Sequence, residues 1–99
     1  MRFSRRAPAR IALDILDCID KGKGEASKWD LIKVVGTESQ FRYWIEEFLL
    51  REKFVEEQQE SNRHFYRKTE TGELLHKLLK NGKILNAMLR VSGKRLRRN

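Results

Sequence analysis

Between Ala12 and Ile19 the apolar residues Ala12, Ile15, Leu16 and Ile19 fall at i, i+3, i+4 and i+7, the spacing of one helical face. Pro8 suits the first turn of that helix, and Gly22 and Gly24 in KGKGEA end it. A shorter helix is expected over Trp29, Leu31, Ile32 and Val35, opened by Ser27 with an acid three positions on at Asp30, and stopped at Gly36. Thr37 and Gln40 have the spacing of a capping box. After them Phe41, Trp44, Ile45, Phe48 and Leu49 complete an i, i+3, i+4, i+7, i+8 stripe.

Two helices joined by a turn at Val35–Gly36–Thr37 have the sequence shape of a helix-turn-helix. The following KFVEEQQESNRHFYRK predicts two short strands, one with Phe54 and Val55, the other with Phe65 and Tyr66. Gln58 to Asn62 lies between them without the Asn-Gly dipeptide of a two-residue hairpin, so a longer, flexible loop is expected. The adjacent apolar pairs leave the inward face of each strand open. Thr69 caps a last helix with Leu74, Leu75, Leu78 and Leu79 on one side, and Asn81–Gly82 is a stop signal. Ile84, Leu85, Met88 and Leu89 resume the helical spacing beyond it.

Composition narrows the class. Ninety-nine residues make one small domain, 39% apolar and 36% charged, with nine aromatics for a core. The chain has no stretch of eighteen apolar residues, and IALDILDCID after the basic start is broken by three aspartates, so neither a membrane span nor a secretory leader is expected. The single Cys18 excludes an internal disulfide and fits a reducing, cytoplasmic setting. Its neighbours Ile15, Leu16 and Ile19 mark it as a small hydrophobe rather than a reactive thiol.

The net charge of +8 is unevenly placed. Residues 1–10 hold four bases and residues 80–99 seven, with no acid in either, while residues 11–79 hold eleven bases against fourteen acids, net −3. Basic ends on a near-neutral body suit electrostatic attachment to a polyanion.

Two segments carry a family resemblance. IEEFLLREKFV (Ile45 to Val55) is similar to a recognition helix running through a leucine into a glycine-led strand. YRKTETGELL (Tyr66 to Leu75) is similar to the Tyr-x-Leu-Thr-x-x-Gly-x-x-Leu-Leu signature that leaves a wing and starts a final helix. Over residues 8–80 the chain thus resembles winged-helix proteins, in particular the small archaeal DNA-binding type and the MarR-like regulators. It departs from them at Lys53, where they carry glycine, and at Lys68, where they carry leucine. The resemblance implies an α+β, mostly helical, winged helix-turn-helix fold: three helices, a β-hairpin wing and a C-terminal helix for dimerisation. The expected organisation is a basic arm (1–7), the winged-helix domain (8–80), a dimerising helical extension (81–92) and a basic tail (93–99).

It also implies double-stranded DNA as the partner, with the third helix in the major groove. On that helix the stripe leaves Ser39, Gln40, Tyr43, Glu46 and Glu47 outward, with Arg42 on the flank. Arginine can bridge guanine and glutamine adenine, while Ser39 and Tyr43 suit phosphate. Glu46 and Glu47 repel a phosphate backbone, which confines contacts to the first half of the helix. The wing offers Asn62, Arg63 and His64 at its tip. Arg67 and Lys68 further down are either phosphate contacts or ordinary strand charges. Arg5, Arg6, Lys94, Arg95, Arg97 and Arg98 supply counterion-releasing, sequence-tolerant affinity.

Leu75, Leu78, Leu85 and Leu89 keep heptad spacing, and with Met88 they form the expected homodimer contact. A helix continuous through Asn81–Gly82 is slightly favoured over two helices folded there. His64 and His76 have no partner at metal-ligand spacing, and no phosphate loop or nucleophile–base pair is visible. No enzyme activity, metal, cofactor or small-molecule ligand is therefore expected. His76 reads as a helix-surface or interface residue. The resulting function is a nucleoid-associated transcription regulator or small chromatin protein. The alternative is a winged-helix protein-interaction module without DNA binding, favoured by the acidic body, with RNA binding a smaller third possibility.

Overall fold

The computed structural model describes residues 7–82. Helix α1 (Pro8–Lys21) buries Ala12, Ile15, Leu16 and Ile19, the face its spacing predicts. It closes on Gly22, whose amide donates to the Cys18 and Ile19 carbonyls; a Cβ there would stand 2.1 Å from the Glu25 carbonyl oxygen. Strand β1 (Ala26–Ser27) leads into α2 (Lys28–Val35). Ser27 and Asp30 form the complete capping box, each side chain bonding the other's backbone amide. At α3 (Glu38–Phe41) only half of that arrangement is present: Thr37 accepts from the Gln40 amide at 3.1 Å, and the Gln40 side chain is directed elsewhere. The two expectations for the caps are thus exchanged. α2 buries Leu31 and Val35 but leaves Trp29 64% exposed, since one turn-spaced pair fills the space this short helix faces.

Strands β2 (Val55–Glu60) and β3 (Arg63–Lys68) pair antiparallel, and β1 pairs with β3, giving the order β1-β3-β2. The register runs from Val55 opposite Lys68 to Glu60 opposite Arg63. The expected long loop is therefore a two-residue turn, Ser61–Asn62, with Ser61 at φ 51°. Exposed strands show no apolar alternation, and their ladder bonds with cross-strand Glu–Arg pairs hold them without it. β3 is the central strand, so both its edges are paired, and it buries adjacent residues on opposite faces. Tyr66 packs edge-on against Phe41 at 5.8 Å, while Phe65, on the opposite face, lies under the Arg63 guanidinium at 4.5 Å.

Core residues from α1, α2, the third helix and the sheet form one cluster centred on Ile15, Leu16, Ile19, Leu31, Ile45 and Leu49, all fully buried. Each such side chain contributes roughly 1.5–3 kcal/mol. Two joints fix the wing to the helices. Lys53, standing where the resembling family has glycine, nevertheless takes the left-handed conformation that glycine would, at φ 66°. Its carbonyl accepts from the Thr69 hydroxyl at 2.6 Å. Thr69 caps α4 (Glu70–Lys80) by accepting from the Gly72 amide, and a Cβ on Gly72 would stand 1.8 Å from the Phe54 carbonyl oxygen. Only glycine lets α4 approach the strand this closely.

α4 ends at Lys80. Asn81 leaves helical geometry at φ −95°, ψ 74°, so the slightly favoured continuous helix through Asn81–Gly82 is replaced by a break, as the Asn-Gly stop signal itself implies. Leu75 and Leu79 turn to the core while Leu74 and Leu78 are exposed, so the four leucines divide between two faces. Ile84, Leu85, Met88 and Leu89 lie outside the described residues. No helix of the described residues is long and apolar enough to cross a membrane.

Candidate nucleic-acid interface

α3 continues without interruption into a π-helical stretch, Arg42–Leu49. Its wider turn, with the Leu50 amide bonded to the Ile45 carbonyl at 2.8 Å, makes four the spacing that returns to the core. Phe41, Ile45 and Leu49 are consequently buried, and the pairs Arg42–Tyr43 and Glu46–Glu47 are exposed at the same interval. Trp44 and Phe48, expected in the buried stripe, are displaced to a half-buried flank. There they form one wall of an apolar groove of about 560 Å³, facing Pro8 and Ala12 of α1 and Leu75 and Leu79 of α4.

Ser39, Gln40, Arg42 and Tyr43 are thus brought together on the exposed front of one helix. Each has a defined setting. Gln40 accepts a hydrogen bond from Trp44 Nε1 at 3.1 Å. Tyr43 meets the Trp44 ring edge-on at 5.1 Å. Arg42 lies between Glu38, which Lys28 holds at 3.1 Å, and Glu46, one turn on.

The wing is different. Arg63 is ion-paired to Glu25 at the start of β1, reaches Glu60 at 3.7 Å, and stacks on Phe65. His64 meets the Glu57 carboxylate, Arg67 stands opposite Glu56, and exposed Asn62 completes the tip.

Lys68 is turned inward and largely buried. Its side chain is 11% exposed and its ammonium binds Asp20 at 2.8 Å and Glu73 at 2.6 Å, so the expected phosphate contact is replaced by an internal one. The leucine usual at this place is exchanged for a cation with two carboxylates within reach. His76 is likewise corrected from a surface residue to a buried one, 1% exposed. It is bonded through Nε2 to Asp17 at 2.8 Å, with Nδ1 2.9 Å from the Lys68 ammonium. Since an ammonium only donates, Nδ1 accepts from it and Nε2–H donates to Asp17. This network joins α1, β3 and α4.

Its charges are set by these contacts. The Lys68 bond holds the Asp20 carboxyl below the usual aspartate range. Burial alone would lower the Lys68 ammonium, yet Asp20 and Glu73 outweigh it and hold it above the ordinary lysine value. Burial, with Glu57 and Glu46 nearby, pushes the Tyr66 phenol up to about 12. Burial also raises the Cys18 thiol, as suits the inert packing role read from its neighbours.

Two solved structures are similar to this one in fold. Sso10a-2, a DNA-binding protein from Sulfolobus solfataricus, has a TM-score of 0.63 over 94% of this chain and 95% of its own, at 18% identity. F-93 of SSV1 has a TM-score of 0.57 over 89% of this chain and 99% of its own, at 25% identity. The chain folds as a winged helix-turn-helix. No protein-family model and no curated protein sequence matches it.

Within this winged helix the residues missed at the sequence level are mostly partners. Glu25 is 38 positions from Arg63, and Asp17 is 59 from His76, so no local pattern announces them. The Gln40–Trp44 contact does have a signal, an i, i+4 spacing on a helix. Arg5, Arg6, Lys94, Arg95, Arg97 and Arg98 lie outside the described residues.

Proposed function

We propose that this winged helix binds double-stranded DNA as a homodimer, serving as a nucleoid-associated transcription regulator or small chromatin protein and not as an enzyme. The observation that carries the reading is the placement of charge along the chain. Residues 7–82 hold thirteen bases against fourteen acids, net −1. Residues 1–6 and 83–99 hold nine bases and no acid, so the whole surplus of +8 belongs to the ends. Residues 7–82 therefore carry no net positive charge for the electrostatic part of DNA affinity, and the ends do. The body supplies register, through Ser39, Gln40, Arg42 and Tyr43 on the front of the third helix. The likeness to Sso10a-2, itself a DNA-binding protein, supports the same partner.

Leu74 and Leu78, exposed on α4, suit cover by a second copy together with Leu85, Met88 and Leu89. Light scattering should give a dimer that Leu85→Glu with Leu89→Glu dissociates; a monomer at micromolar concentration ends the homodimer part.

The decisive measurement is duplex affinity against salt. With about 6–8 phosphate contacts, affinity should fall on the order of a thousandfold between roughly 50 and 200 mM salt. Deleting residues 93–99 should flatten that slope without altering the fold. Absence of duplex binding at low salt would reject the reading in favour of a protein-interaction module, for which the exposed Glu46 and Glu47 on the third helix provide acidic groups.

A further inference from the structure

We propose that the front of the third helix is set to read guanine, because Trp44 fixes the Gln40 amide as a hydrogen-bond donor. The proposal rests on the DNA-binding reading and names the base edge that reading leaves open. The Trp44 Nε1 lies 3.1 Å from the outer end of the Gln40 side chain. An indole N–H donates and cannot accept, so the amide atom facing it is Oε1.

Both partners are held. The Trp44 ring is half-buried, with Tyr43 edge-on at 5.1 Å and Phe48 edge-on at 6.2 Å. Gln40 is fixed at its backbone by the Thr37 hydroxyl, in the first turn of an exposed helix front. Its oxygen is turned back along the helix towards Trp44, and its two N–H groups remain for a ligand.

A free glutamine reads adenine by donating to N7 while accepting from the N6 amino group. Oε1 keeps a second lone pair, but with that oxygen turned to the indole it is the two N–H donors that Gln40 presents to a ligand. Guanine presents two acceptors on its major-groove edge, N7 and O6; adenine presents one acceptor and one donor. The contact with Trp44 therefore selects guanine, and Trp44 is a positioning residue that sets base preference without touching DNA. This replaces the adenine contact expected from the residue type alone.

The test is selection from a randomised duplex pool at low salt with the full-length protein, Gln40→Ala, Gln40→Glu and Trp44→Phe. The position whose preference vanishes in Gln40→Ala is the Gln40 position, and wild-type protein should enrich guanine there. Trp44→Phe keeps a ring and removes the N–H, and should move that position from guanine towards adenine by on the order of tenfold. Gln40→Glu keeps an acceptor for Trp44 and has no donor, so guanine enrichment should disappear. Adenine or no preference at that position in the wild type overturns the proposal, as does guanine retained by a folded Trp44→Phe. Should Trp44→Phe fail to fold, Gln40→Glu decides: guanine retained overturns the proposal and guanine lost supports it. A wild-type protein that binds no duplex at all removes the DNA-binding reading itself. One that binds but reads no base at this position removes only the proposal.

Discussion

Arg42 on the third helix and Arg63 on the wing are both exposed arginines at places where a winged helix meets DNA, yet their surroundings differ. Glu38, one turn before Arg42, is already bound to Lys28. Arg63 is held by the carboxylates of Glu25, just before β1, and Glu60 of β2, and by the Phe65 ring beneath it. The same contrast extends to their neighbours. Arg67 stands opposite Glu56, His64 meets Glu57 and Lys68 is internal, whereas Ser39, Gln40 and Tyr43 form a polar front with one defined internal contact. Exposure and charge at the right place do not make a cation available to a ligand; its pairing decides that. The wing here is a nearly self-neutralised hairpin, and the helix front is the part left open to a ligand.

The largest effect should come from the joint that sets wing against helices. Gly72→Ala forces a Cβ to within 1.8 Å of the Phe54 carbonyl oxygen, a backbone atom that can move only with β2. Overpacking of this kind costs about 3 kcal/mol, or roughly 15 °C in melting temperature for a domain of this size. Ser39→Ala, on the helix front, should leave the melting temperature where it was. Urea and thermal unfolding of both variants measure the difference, and equal melting temperatures would mean that α4 does not need this approach.

Next in size is Lys68, where the wing ends in the network around His76. Lys68→Met should destabilise the fold by about 2 kcal/mol, less than for a fully buried pair because Asp20 and Glu73 are half-exposed. The pH dependence follows from the shifts. Asp20 is lowered, so its contribution is present above the ordinary aspartate value and lost as pH falls through the lowered one. Lys68 is raised, so its contribution is present below about pH 10.5 and lost as pH rises past that value. Lys68→Met should flatten both limbs of the stability–pH curve. Were Lys68 a phosphate contact, the variant would instead lose duplex affinity at unchanged stability.

Smaller again are the effects on binding that set helix front against wing. Arg42→Ala should lose about 1–2 kcal/mol on a selected site and much less on random duplex. Arg63→Ala should lose under about 1 kcal/mol and equally on both, because its charge is already matched by Glu25 and Glu60. Glu25→Gln should tighten binding and steepen the salt slope by about one ion, since it returns one cation to the DNA. Equal losses for the two arginines on both kinds of duplex would erase the distinction between helix and wing.

How much of this was legible follows the range of the interactions. Ala12, Ile15, Leu16 and Ile19 were read as one face and are buried together, because helical periodicity is local. Thr69 was readable as the cap of α4 because a cap is also local, whereas Gly72 was marked by the family resemblance alone. The wing was read too short, since Glu56 to Glu60 carries no alternation to reveal a strand held by its ladder. His76 looked like a surface histidine among leucines because its partners, Asp17 and Lys68, arrive from α1 and β3. The π-helical stretch was announced only by a repeat of four in which Phe41, Ile45 and Leu49 alternate with Arg42–Tyr43 and Glu46–Glu47, easily taken for an ordinary helical stripe. At the interface, the sequence indicated which residues face outward on the helix and could not indicate which wing cations are already matched.

The smallest expected effect tests whether the positive-φ positions at the base and at the tip of the wing are equivalent. Lys53, at φ 66°, is bound on both sides: its carbonyl accepts from the Thr69 hydroxyl, and the next amide, of Phe54, bonds the Leu49 carbonyl at 2.8 Å. It cannot relax without disturbing the joint between helix and strand. Ser61, at φ 51°, sits at an exposed tip flanked by the Glu60–Arg63 pair, where a small movement is tolerated. Glycine removes the left-handed penalty of about 1 kcal/mol but adds entropy to the unfolded chain, so Lys53→Gly should gain only about 0.5 kcal/mol, a rise of roughly 3 °C in melting temperature. Ser61→Gly should gain less, because the tip already relieves part of its strain. Calorimetry on the two variants and their combination measures this, and a larger gain at Ser61 would place the strained point of the fold at the wing tip instead of at its base.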